Sequence, residues 1–105
     1  MELSDWHLWY KRRGGRQLRT LLMDNWDPIG VRGVPEAIDE YDSYVSRIAT
    51  SLRGGADVRQ VSAMLGALRT DAMDLGAEPE TDAAAARSIV DWYAEAMRTE
   101  EDPER

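Results

Sequence analysis

Two apolar stripes of helical period, joined by a short glycine-rich turn, constrain this chain more than any other feature. Ile38, Tyr41, Val45, Ile48 and Leu52 recur at three- and four-residue steps, with Ala49 beside them and Tyr44 at the margin. Val58, Val61, Leu65, Leu68, Ala72 and Leu75 repeat the pattern after Gly54-Gly55-Ala56. A connection this short joins antiparallel neighbours, so the pair predicts a helical hairpin. Pro35 fits a first helical position. Glu36, Asp39 and Glu40 follow where the helix dipole favours negative charge, and Arg53 stands where it favours positive. Gly54-Gly55 stops the first helix, and Asp57 with Gln60 reads as a capping box opening the second. Gly76 and Pro79 are expected to close it.

The flanks read as helical too. Trp6, Trp9, Tyr10 and Arg13 fall at helical steps behind Ser4, a suitable N-cap. Gly14-Gly15 is expected to interrupt that helix, because two glycines cost about 2 kcal/mol in a helix interior. Leu18, Leu21 and Leu22 resume an amphipathic pattern that ends at Asn25, before Pro28. Near the other end, Thr81 or Asp82 caps a last helix with Ala85, Ile89, Trp92, Tyr93 and Ala96 on its inner face. The fold class is therefore all-α: a compact single domain of four to five helices over residues 1–98, followed by a frayed acidic tail over 99–105. An ordered loop precedes the central hairpin. Trp26, Asp27, Pro28, Ile29 and Gly30 structure it, since large apolar groups in a segment without helical period fold back over a core.

A chain of 105 residues supplies one modest core, and it has no cysteine. That excludes a disulfide framework, a zinc–thiolate site and a cysteine nucleophile. The N-terminus carries Glu2 and Asp5 with no apolar run after them, and no stretch reaches the ~20 apolar residues of a membrane span. The expected location is the cytoplasm, with no membrane partner. The net charge of −7 is uneven: residues 1–23 hold five bases against two acids, and the remainder eight bases against eighteen acids. Such acidity repels phosphate backbones over most of the surface, which argues against nucleic acid and suits a basic partner.

Several clusters invite a chemical reading. Asp24, Asp27, Asp39 and Asp42 are the carboxylates from which an oxygen-only divalent-metal site with hydrolytic activity would be built. Helix-start acids are so common, however, that the reading assigns no metal ligand and no cofactor. His7 is the single histidine, and packing among Trp6, Trp9 and Tyr10 suits it better than acid–base work with Asp5, so no catalytic residue is assigned. Ile29-Gly30-Val31-Arg32-Gly33 imitates the glycine loop of KH domains but lacks the strands that fold requires. Lys11, Arg12, Arg13, Arg16 and Arg19 form a basic run that reads as a solvated face paired with the protein's own acids. Aromatics rimmed by acid are favoured at protein–protein hot spots. The expected partner contacts are Glu36, Asp39, Glu40, Tyr41, Asp42 and Tyr44, with Asp42 at the edge of the apolar stripe.

The block Trp26-Asp27-Pro28-Ile29-Gly30-Val31, then Pro35-Glu36-Ala37-Ile38-Asp39-Glu40-Tyr41-Asp42-Ser43-Tyr44, then a helix ending in two glycines, resembles a group of small bacterial all-helical proteins of unknown function. The likeness covers about Leu18 to Leu75, with an echo at Asp91-Trp92-Tyr93. It implies a helical domain and brings no activity with it. The leading expectation is a non-enzymatic protein-binding module of the immunity or antitoxin kind, neutralising a basic toxin or effector. The alternatives are the carboxylate metal site and a homodimer that buries the aromatics.

Overall fold

Adjacent glycines do not break the first helix. The computed structural model describes residues 2–26, 38–72 and 78–101, with side chains over 2–26, 42–70 and 78–100. Helix α1 spans Leu3–Trp9 and passes through a π-helical turn, Tyr10–Gly14, into helix α2, Gly15–Asn25, as one continuous rod. Gly14 and Gly15 keep right-handed helical angles (φ −60° and −61°). The expected interruption fails for a packing reason. In the widened turn Trp9 lies over Gly14, where an added Cβ would sit 2.6 Å from the indole. Tyr10 lies likewise over Gly15, with its ring 3.2 Å from such a Cβ. The missing side chains make room for two rings, and ring burial offsets the helix-propensity cost. Ser4 is not the cap either: Glu2 occupies that place, extended at φ −70° and ψ 156°, and Ser4 lies inside the first turn.

Helix α3 is described over Ile38–Arg53, so the expected start at Pro35 lies outside the described residues. Its end is a Schellman motif: Gly55 N–H donates to Leu52 O at 3.0 Å and Ala56 N–H to Ser51 O at 3.0 Å. Gly55 takes φ +95°, a left-handed angle that only glycine adopts without strain. Helix α4, Val58–Ala67, opens on the predicted capping box, with Gln60 N–H donating to Asp57 Oδ1 and Asp57 N–H to Gln60 Oε1, both at 2.9 Å. It runs into a second π turn, Leu68–Ala72. Helix α5, Pro79–Glu101, starts earlier than Thr81 or Asp82 and continues past residue 98. Pro79 therefore opens α5 rather than closing the previous helix, using the first-turn place where its missing N–H is no loss.

The four rods bury one core around Leu18, Leu22, Ile48, Val61, Leu65 and Ile89, none more than 1 % exposed. Helix α4 makes its widest interface with α5, α2 sits against both α3 and α5, and α3 meets α4 along a smaller seam. The Cα radius of gyration, 13.8 Å, matches the ~13 Å expected of a compact chain this long. Among the described residues no helix is long and apolar enough to cross a membrane.

Candidate functional site

The expected contact residues divide. Tyr44 is not a surface residue: it is 6 % exposed and belongs to the core. Helix α3 packs on both α2 and α4, so a wider arc of it is buried than its apolar stripe covers. Asp42 is half-exposed and faces the protein's own Arg19, whose Nη2 donates to Oδ2 at 3.2 Å. Arg19 Nε lies 2.8 Å from Oδ1 as an ion-pair contact, out of line for a hydrogen bond. Glu36, and the side chains of Asp39, Glu40 and Tyr41, lie outside the described residues, as do Asp27, Pro28, Ile29 and Gly30 of the loop.

Trp26, at the root of that loop, is buried and joins a network that sequence reasoning missed. Its Nε1 donates to Asp82 Oδ1 at 2.8 Å. Arg69 donates to the same oxygen through Nη2 at 2.7 Å and Nε at 3.3 Å, and through Nη1 to Glu78 Oε2 at 3.0 Å. The Arg69 guanidinium also lies 5.6 Å from the centroid of the Trp26 ring. Arg69 and Asp82 are both buried, and Asp82 Oδ2 lies beside Gly66, an ordinary 3.4 Å from where a Cβ would sit. The signal was present: Asp82 stands on the α5 stripe with Ala85, Ala86 and Ile89, and Arg69 follows Leu65 and Leu68. Opposite charges on two inner stripes point to one buried pair.

This network fixes the start of one acidic segment and the flanks of another. The described side chains include eleven acids and eleven bases, so the net charge of −7 resides in the remaining nine acids and two bases. Segment 27–41 carries net −3 and follows Trp26 directly. Segment 71–77 carries net −2 and runs between the network's Arg69 and Glu78. Among the described residues no group of three or more His, Cys, Asp or Glu is placed to hold a metal. Of the carboxylates weighed for one, Asp27 and Asp39 lie outside the described side chains, and Asp42 is engaged by Arg19.

The N-terminal aromatics are used internally. Trp6 stacks on Tyr10 with 5.3 Å between ring centroids and donates its Nε1 to Tyr93 Oη at 2.9 Å. Trp9 stacks on Trp92 at 5.9 Å, and Arg53 caps the Trp6 ring at 4.9 Å. Trp6 and Trp9 are core residues, whereas among the described residues Leu3 and Leu8 are the large apolar groups left outside. His7 is exposed and meets Trp6 edge-on at 5.4 Å.

Beside the first π turn a cleft of about 360 Å³ opens between the rod and α3, lined by Tyr10, Lys11, Arg16, Arg19, Asp42 and Ser46 among others. Burial pushes the Tyr10 phenol above its ordinary pKa, and the Asp42 charge pushes the same way. Arg19 and a hydrogen bond with Ser46 act against them.

Neither a scan against protein-family models nor searches of curated proteins and of solved structures gave a match.

Proposed function

We propose that the chain is a non-enzymatic protein-binding module of the immunity or antitoxin kind, acting in the cytoplasm on a basic partner. One observation supports this most: the Trp26–Asp82–Arg69–Glu78 network holds the start of segment 27–41 next to the flanks of segment 71–77, and the two segments carry five of the seven net negative charges. Acidic surface presented from a rigid bundle steers a basic protein toward it and rejects acidic ones. Glu36, Asp39, Glu40 and Tyr41 belong to the first of these segments and are the proposed contacts. Asp42 contributes through its ion pair, and Tyr44 leaves the contact set because it is core.

The test is a double charge reversal, Asp39→Lys with Glu40→Lys, read against a basic partner captured from lysate and then titrated in purified form. The expected result is a loss of affinity of about tenfold or more, an affinity that falls with added salt, and an unchanged melting temperature. Undiminished binding by the reversed protein overturns the proposal.

A further inference from the structure

We propose that the cleft beside the first π turn is a binding site for a phosphate-type dianion, held by Lys11, Arg16 and Arg19 with the hydroxyls of Tyr10 and Ser46. The cleft's charge is the first ground for this, and it is independent of the protein-binding reading. Three cations line the cleft against one carboxylate, a net of +2, whereas the other described charges, eight bases against ten acids, sum to −2. Asp42 takes Arg19 through Nη2 and Nε, which orients the guanidinium and leaves Nη1 without an acceptor among the described residues. Lys11 has no acceptor among them either, and Arg16 has only the long 3.5 Å contact of its Nη2 with Arg12 O. A monocarboxylate would answer one of these charges and strand the other, whereas a dianion answers both and accepts from several donors at once.

The backbone supports the same assignment. The π turn shifts the register of the rod so that Tyr10 and Lys11 share a cleft with Arg16 and Arg19. Such turns recur where side chains are re-aimed for a ligand. Gly15 keeps the phenol seated, because any Cβ there would press to 3.1 Å from Tyr10 O and 3.2 Å from its ring. A volume of about 360 Å³ holds a phosphate and the first atoms of an ester.

The experiment follows melting temperature and heats of binding with inorganic phosphate and with phenyl phosphate, chloride holding the ionic strength constant. The expected result is a saturable rise in melting temperature at phosphate on the order of 10 mM. The rise disappears in Lys11→Gln with Arg16→Gln, and affinity falls about tenfold for each cation removed. Both side chains are exposed, so the double variant itself melts as the parent does. Tighter binding of phenyl phosphate assigns the site to an esterified phosphate, and tighter binding of inorganic phosphate assigns it to the free anion. No rise, or an equal rise in the double variant, overturns the proposal; the latter is the general effect of an excluded salt. An equal response to succinate overturns the choice of phosphate. The Asp39→Lys, Glu40→Lys protein should keep its phosphate response, which separates failure here from failure of the protein-binding reading.

Discussion

Arg69 Nη2 and Asp82 Oδ1 meet at 2.7 Å with only 2 % and 4 % of their side chains exposed, and Trp26 donates to the same oxygen. Removing one partner leaves a buried, uncompensated charge. Asp82→Ala should therefore cost about 3–5 kcal/mol. Replacing both, Arg69→Met with Asp82→Leu, should return most of that loss, since apolar groups of similar volume need no partner. Glu78, the outer arm, has a 62 % exposed side chain, so Glu78→Gln should cost under about 1 kcal/mol. Urea unfolding midpoints decide the matter. A mild Asp82→Ala alongside an unrecovered double variant would sink the account.

Gly14 and Gly54 look equivalent in the sequence and should respond oppositely to alanine. At Gly14 the new Cβ would lie 2.6 to 2.8 Å from three atoms of the Trp9 ring, which is buried and stacked on Trp92. The gain in helix propensity, about 1 kcal/mol, is smaller than the overpacking cost of about 1–3 kcal/mol. Gly14→Ala should be destabilising and should alter the near-ultraviolet dichroism of the indoles. At Gly54 the nearest atom is Ser51 O at 3.4 Å, an ordinary contact, and Gly54→Ala should be close to neutral. Gly55→Ala should lose about 1 kcal/mol through its φ of +95°.

Asp57 and Gln60 exchange hydrogen bonds at 2.9 Å across the start of α4. Asp57→Ala should cost about 1 kcal/mol, and Gln60→Ala should add little on top of it, because each bond holds the other's geometry. A strictly additive double-mutant cycle would show that the box does not act as a unit.

What the sequence disclosed follows the range of the interactions involved. The capping box and the Gly54-Gly55 stop were legible because each is decided by residues within five positions. The break that propensity predicts at Gly14-Gly15 does not form, because a propensity scale prices each glycine alone, whereas these two accept rings from five residues earlier. Asp82 reads as a cap because acids commonly start helices, yet its place on the α5 stripe already requires a buried partner. Tyr44 stands at the margin of the apolar stripe in the sequence, and that margin is buried because α3 packs on two helices. Of the candidate site, Asp42 was legible as a residue at a polar–apolar border. Its partner Arg19 lies twenty-three residues away and required the fold.

Tyr10 ties the cleft to pH. Its pKa is raised from the ordinary 10.0, chiefly by burial and then by Asp42. A folded-state pKa above the unfolded value means that the native state holds the phenolic proton more tightly. The resulting stability is fully present below about pH 10 and is lost as pH rises through the raised value. Stability should accordingly decline with pH above that point, and Tyr10→Phe should flatten the decline. Asp42→Asn removes a negative neighbour and should bring the titration part of the way down, leaving the effect of burial. Ser46→Ala removes a hydrogen bond that favours the phenolate and should push the titration further up. Phenolate absorbance, taken as the difference between each protein and its Tyr10→Phe counterpart, isolates this residue from the other three tyrosines. An upward movement in Asp42→Asn would mean that Asp42 acts on Tyr10 mainly by holding Arg19 in place rather than by its own charge.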